Sequence, residues 1–207
     1  MSSKKRETRQ FVVAITGASG SIYGLRLVRE LLRAGERVSL ILTSAGLQVL
    51  NHETGLAWST DIKQQRHQVQ EYFASIAVEC LAVDNFWASA ASGSAAADAM
   101  IVIPCSMGTV GRIAAGLSGN LLERAADVML KERRPLVLVP RETPFNTIHL
   151  ENLLRLSRAG AVVLPAMPAF YHAPETMDDL VDFVVGKALD QLDVAHSLFA
   201  RWGENQD

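Results

Sequence analysis

The 207-residue chain carries 20 Lys and Arg against 22 Asp and Glu, a formal net charge of −2. It therefore has no general cationic surface for nucleic acid or anionic lipid, and any phosphate it binds must be held locally. A hydrophobic fraction of 49% with 20% charged residues is the balance of a packed globular protein and excludes a disordered or fibrous chain.

Residues 1–10 are basic and run straight into a short apolar stretch without a long apolar leader core, so they are expected to be a flexible lead-in rather than a signal peptide. Residues 11–16 (FVVAIT) form a wholly apolar, β-branched run. Apolar residues at Ile22, Leu25, Leu27, Val28, Leu31 and Leu32 then carry the period of a helix, and Gly35 is a plausible stop. Residues 38–43 make a second buried-strand run, completing one βαβ unit. The same strand signature returns at 99–104, 135–140 and 161–165, with helical periods expected at 45–51, 69–77, 107–115, 121–132, 147–159 and 177–192. The pattern predicts one α/β domain over 11–195, a parallel sheet flanked by helices, with a charged C-terminal tail at 196–207. Residues 84–98 are rich in small side chains and aperiodic, an excursion that could approach a flat ligand closely. No apolar stretch nears the ~20 residues of a membrane-spanning helix.

Residues 16–20 (TGASG) lie where the first strand hands over to the first helix, either a mere tight turn or an anion site built from backbone amides. Through Gly24 the glycine spacing departs from the dinucleotide fingerprint, and the second strand ends in Leu42, Thr43 and Ser44 with no acidic residue for a ribose. Tyr23, Tyr72 and Tyr171 are each without a lysine four residues on, so the pair used for hydroxyl oxidation is missing. A mononucleotide such as FMN fits better than NAD. Residues 104–109 (PCSMGT) offer hydroxyls and another helix start at a second strand end. Cys105 within them reads as a small buried hydrophobe rather than a nucleophile, and with Cys80 it makes too few cysteines for a disulfide framework, which favours a reduced, cytoplasmic setting.

Arg124, Lys131, Arg133 and Arg134 each read, taken alone, as solvated charges or surface ion pairs. Arg141 differs, because it comes directly off a buried strand and is followed by Glu142. Asp178, Asp179 and Asp182 spell a pattern that elsewhere holds magnesium around a diphosphate. Here Thr176 stands at capping distance, so the first turn of a helix explains them, and no metal site is expected. His52, His67, His149, His172 and His196 show no ligand spacing.

With TGASGSIYGLRL, ASGS at 91–94, PCSMGT, ERAADVMLKERRPLVLVPRE, GAVVLPAMPAFYH and the final RWGE, the chain resembles the UbiX-type flavin prenyltransferases over essentially its whole length. One departure is the alanine before ASGS, where the family often carries proline. The resemblance implies a flavodoxin-like Rossmann subunit assembled into a homododecamer. It implies transfer of a dimethylallyl group from dimethylallyl monophosphate to N5 and C6 of reduced FMN without metal, the prenylated FMN then serving a UbiD-type decarboxylase. By the same resemblance Gly17, Ala18, Ser19, Thr43, Ser106, Met107, Gly108, Thr109 and Arg141 match positions that hold FMN. Arg124, Lys131, Arg141, Tyr171 and Lys187 match the dimethylallyl phosphate site, Ser19, Glu53 and Glu142 match catalytic positions near the reacting flavin edge, and Trp87 and Trp202 match aromatic positions near the allyl group. The alternatives are an FMN-dependent cysteine decarboxylase of the related class, which would want a catalytic His and a PASANT-like loop, and a flavin-binding regulatory module without turnover.

Overall fold

In the computed structural model, residues 8–201 are described. Six strands, Gln10–Ile15 (β1), Arg37–Leu42 (β2), Val78–Leu81 (β3), Ala99–Cys105 (β4), Leu136–Pro140 (β5) and Val162–Val163 (β6), form one sheet in the order β3-β2-β1-β4-β5-β6. Every neighbouring pair is parallel. Among the described residues, seven helices connect and flank them: Ser21–Arg33 (α1), Ser44–Thr54 (α2), Ile62–Phe73 (α3), Met107–Ala114 (α4), Leu121–Lys131 (α5), Thr147–Arg158 (α6) and Met177–Asp190 (α7).

The apolar runs behave as strands because both faces are covered. All seven residues of β4 are buried, and alternate residues of β1 feed two separate cores. Phe11, Val13 and Ile15 pack with Leu27, Val28 and Leu31 of α1 and Val184, Ala188 and Leu189 of α7. Val12 and Ala14 face the opposite side, with Val110 of α4, Ala125 and Met129 of α5, and Leu156 of α6. The order reverses beside β1: the chain first moves outward to β2 and β3, then crosses back to β4. The carboxyl ends of β1 and β4 thus make the switch point at which open parallel sheets bind ligands.

Three departures from the sequence reading have physical causes. Strand β3 was not anticipated; it is a four-residue edge strand whose apolar run is interrupted by the exposed Glu79. Helix α3 spans Ile62–Phe73 rather than 69–77, because Asp61 caps it by accepting the amides of Lys63 (3.1 Å) and Gln64 (3.0 Å), while only Gln65 and Val69 are buried. Helix α2 runs past 51 to Thr54, which carries Glu53 onto its last turn. The chain stays packed beyond 195: His196 and Phe199 lie so close over Gly186 of α7 that a side-chain carbon there would meet Phe199 at 2.4 Å. Trp202 lies outside the described residues.

Candidate active site

One buried hydroxyl ties the switch point together. Thr16, 1% exposed, donates through Oγ1 to the Pro104 carbonyl at 2.8 Å and accepts the Ser106 amide at 2.8 Å, so the loops after β1 and β4 share a single fulcrum. The neighbouring strand ends join the same row, since the Thr43 amide donates to Ile15 (3.1 Å) and the Arg141 amide to Cys105 (3.3 Å). A side-chain carbon on Gly17 would stand 2.7 Å from the Cβ of Ala45, so only glycine lets the first loop lie against the start of α2. Gly20 adopts φ 107°, the left-handed conformation that turns the chain into α1.

Three helices therefore begin side by side at the carboxyl edge. The start of α1 is occupied from within: the amides of Gly20 (3.0 and 3.1 Å) and Ser21 (2.8 Å) donate to the Glu53 carboxylate. Helix α2 is capped by the Thr43 hydroxyl, which accepts the Gly46 amide at 3.0 Å, and α4 by the Ser106 hydroxyl, which accepts the Thr109 amide at 3.3 Å. That leaves the amides of Ser44, Ala45, Met107 and Gly108 without an intrahelical acceptor, a cradle suited to an anionic phosphate.

Beside this cradle an open cleft of about 630 Å3 is lined by Gly17, Ser19, Gln48, Val49, His52, Glu53 and Arg141. Arg141 leans across it, its Nε donating to the Ser19 carbonyl at 3.0 Å. Glu142 follows Arg141 in the chain, its Oε1 accepting the Thr143 amide at 3.0 Å. Burial alone would raise the Glu53 carboxyl. The Ser19 hydroxyl and the amides of Ser21 and Gly20 outweigh it and hold the group below its ordinary value of 4.5, ionised at neutral pH. Cys105 is fully buried and its thiol is pushed up to about 12, which leaves no thiolate for a nucleophile.

All the positions expected to hold FMN thus meet in one chain. The positions expected to hold the prenyl phosphate do not. Arg124 donates from Nε to the Ala91 carbonyl (3.0 Å) and pairs with Asp127 (2.8 Å), and Lys131 pairs with Glu132 against Gly93, so both face the small-residue loop. Helix α5 starts at the carboxyl edge, where the Leu121 amide donates to Val83 (2.7 Å), and leads to Arg134, which donates to Ala96 and Ala97 (2.9 Å each) just ahead of β4. Lys131 is ten residues along that helix from Leu121, about 15 Å of rise away from the sheet's carboxyl edge. Lys187 pairs with Asp190 at 3.5 Å on α7. Tyr171 stands edge-on to Phe183 (5.8 Å) and His172 (5.7 Å). Trp87, in the small-residue excursion, is 97% exposed.

Of the α7 aspartates, Asp179 caps the helix as the sequence suggested, while Asp182 takes an ion-pair role it did not. Thr176 and Asp179 form a reciprocal capping box, and Asp182 accepts from Arg26 at 2.7 Å. The sequence alone gives Gln48 and His52 no role and takes Thr16 only as part of the TGASG turn. A helical period over 45–51 extended by one turn would have placed Gln48, His52 and Glu53 on neighbouring faces, whereas the role of Thr16 depends on a contact 88 residues away.

A family model described as Flavoprotein matches residues 1–189. The flavin prenyltransferase UbiX of Halalkalibacterium halodurans is 56% identical over 199 residues, covering 95% of each chain. The chain belongs to the UbiX-type flavin prenyltransferases. Among solved structures, AnUbiX (PadA1) in complex with FMN and dimethylallyl pyrophosphate superposes on this flavin prenyltransferase with a TM-score of 0.85 at 38% identity, covering 95% of this chain and 98% of that one. A dodecameric FMN-dependent UbiX-like decarboxylase from Escherichia coli O157:H7 gives 0.83 at 41% identity over 93% and 98% of the two chains. The flavodoxin-like α/β fold of this prenyltransferase and its use of FMN follow from these matches.

Proposed function

We propose that this prenyltransferase joins the dimethylallyl group of dimethylallyl monophosphate to N5 and C6 of reduced FMN. The observation that carries this is the meeting of Ser19, Glu53 and Arg141 around one cleft beside a free phosphate cradle. Reduced FMN supplies the nucleophilic nitrogen and carbon of the reaction. Gly17, Ala18, Ser19, Thr43 and residues 106–109 bind and orient it. Because Glu53 already fills the start of α1, the flavin phosphate goes to the amides at the starts of α2 and α4. Arg141, reaching from a buried strand end, fixes a cation at the edge where the donor's phosphate leaves. Joining the allyl carbon to N5 breaks its C–O bond to phosphate and releases the N5 proton. Closing the ring at C6 consumes the allyl double bond, whose central carbon gains a proton as C6 loses one. We assign Glu53 and Glu142 as the carboxylates that take and return these protons, with the Ser19 hydroxyl relaying to Glu53.

Arg124, Lys131, Tyr171 and Lys187 complete the donor site from a neighbouring subunit. What supports this is that Arg124 and Lys131 face the small-residue loop rather than the Arg141 cleft, together with the exposed Trp87 in that loop. Arginine and lysine then carry the leaving phosphate's charge in place of a metal. The assembly is a homododecamer, and the catalytic unit is the domain 11–195 with the tail at 196–207 as an accessory. The monophosphate and the pyrophosphate bound in the solved relative present the same C5 allyl group and a terminal phosphate. The product is a modified cofactor, consumed by a UbiD-type decarboxylase, and the two buried thiols suit the cytoplasm.

Incubation with reduced FMN and either donor, followed by mass spectrometry of the extracted flavin, tests the reading. A gain of one C5 unit, faster with the monophosphate, is expected; an unmodified flavin with both donors overturns it.

A further inference from the structure

We infer that Arg112 is a positioning residue for the flavin, setting the direction in which the Ser106 hydroxyl donates its proton. The inference rests on the reading of residues 106–109 as part of the flavin site. It starts from Glu123, an acidic side chain only 3% exposed at the start of α5. Its carboxylate accepts the Gly119 amide (2.8 Å), the Asn120 side-chain amide (2.9 Å) and Arg112 Nε (2.7 Å), which holds the guanidinium across the first turns of α4. The same guanidinium donates from Nη2 to Thr109 Oγ1 at 3.3 Å, and Thr109 Oγ1 lies 3.0 Å from Ser106 Oγ.

Arginine has no acceptor, so Thr109 Oγ1 must accept there. Thr109 is 1% exposed, and among the described residues the one oxygen recorded within reach of its hydroxyl proton is Ser106 Oγ. Were Ser106 to donate inward instead, the Thr109 proton would be buried without a partner, the costlier arrangement. Thr109 therefore donates to Ser106, whose oxygen also accepts the Thr109 amide at 3.3 Å. Both lone pairs of Ser106 are then engaged and its own proton can only point outward. Half-buried at the start of α4 beside the amides of Met107 and Gly108, Ser106 becomes an obligate donor to an acceptor atom of the bound flavin. Neither Arg112 nor Glu123 needs to touch the flavin for this.

The test measures FMN affinity by fluorescence quenching, and the visible spectrum of the bound flavin, in a double-mutant cycle. Ser106→Ala is expected to weaken FMN binding by about tenfold. Arg112→Met should approach that loss, while the double variant Ser106→Ala/Arg112→Met should bind no worse than Ser106→Ala alone. Arg112→Lys, which keeps an obligate donor, should restore most of the affinity and the native spectrum. If Ser106→Ala weakens binding while Arg112→Met, folded by circular dichroism, leaves it unchanged, the inference is overturned. Additive losses in the double variant overturn it too and make Arg112 a direct contact. Unchanged affinity in Ser106→Ala removes the run from the flavin site, so the underlying reading fails and the inference with it.

Discussion

Glu53 shows how a single side chain can be both structure and chemistry. Its carboxylate replaces the missing capping residue of α1, since Gly20 has no side chain to accept the amides of the first turn. With its folded pKa held below 4.5, the ionised group adds stability that is complete above 4.5 and is lost as the pH falls through the folded value. Urea midpoints between about pH 5 and pH 3 should therefore fall less steeply for Glu53→Gln than for the native chain. Equal slopes would show that the carboxylate is not held as an acceptor. The same variant should retain FMN and lose turnover.

At the level of elements, strands β1, β2, β4 and β5 were legible because parallel strands buried on both faces read as unbroken apolar runs, and α1, α5, α6 and α7 because each has one apolar stripe. The 45–51 helix stopped short since the last turn of α2, Asn51 to Thr54, is polar, and that turn carries Glu53 to the start of α1. Strand β3 and α3 were obscured for the related reason that their stability comes from neighbours: Gln65 accepts from Cys80 and Arg66 donates to the Cys80 carbonyl. The strand ends proposed to hold FMN stand out because glycines and hydroxyls follow directly on buried apolar runs. The Thr16 fulcrum and the chain from Glu123 to Ser106 could not, since contacts between separate loops leave no period in a sequence.

For the whole molecule, the contrast between proposed flavin contacts that meet within one chain and proposed donor contacts spread over it has a kinetic consequence. Lys131→Ala should weaken use of the prenyl phosphate by roughly ten- to a hundredfold with FMN affinity unchanged. Arg141→Ala should be inactive by itself. Oligomers co-assembled from the two variants should regain activity, because some sites then join a native Arg141 from one subunit to a native Lys131 from its neighbour. If mixed oligomers stay as inactive as their parents, both residues serve the same subunit's site.

The bare indole of Trp87 also supplies an optical gauge. Trp58 is 4% exposed and packs edge-on against Tyr72 at 5.5 Å, so its emission is insensitive to solvent, while Trp87 emits as a fully hydrated fluorophore in an isolated subunit. In a Trp202→Phe background, dilution across the assembly equilibrium should move the emission maximum to longer wavelength as Trp87 is wetted. A maximum that stays fixed while light scattering reports dissociation would leave Trp87 in water in both states and remove it from any shared pocket.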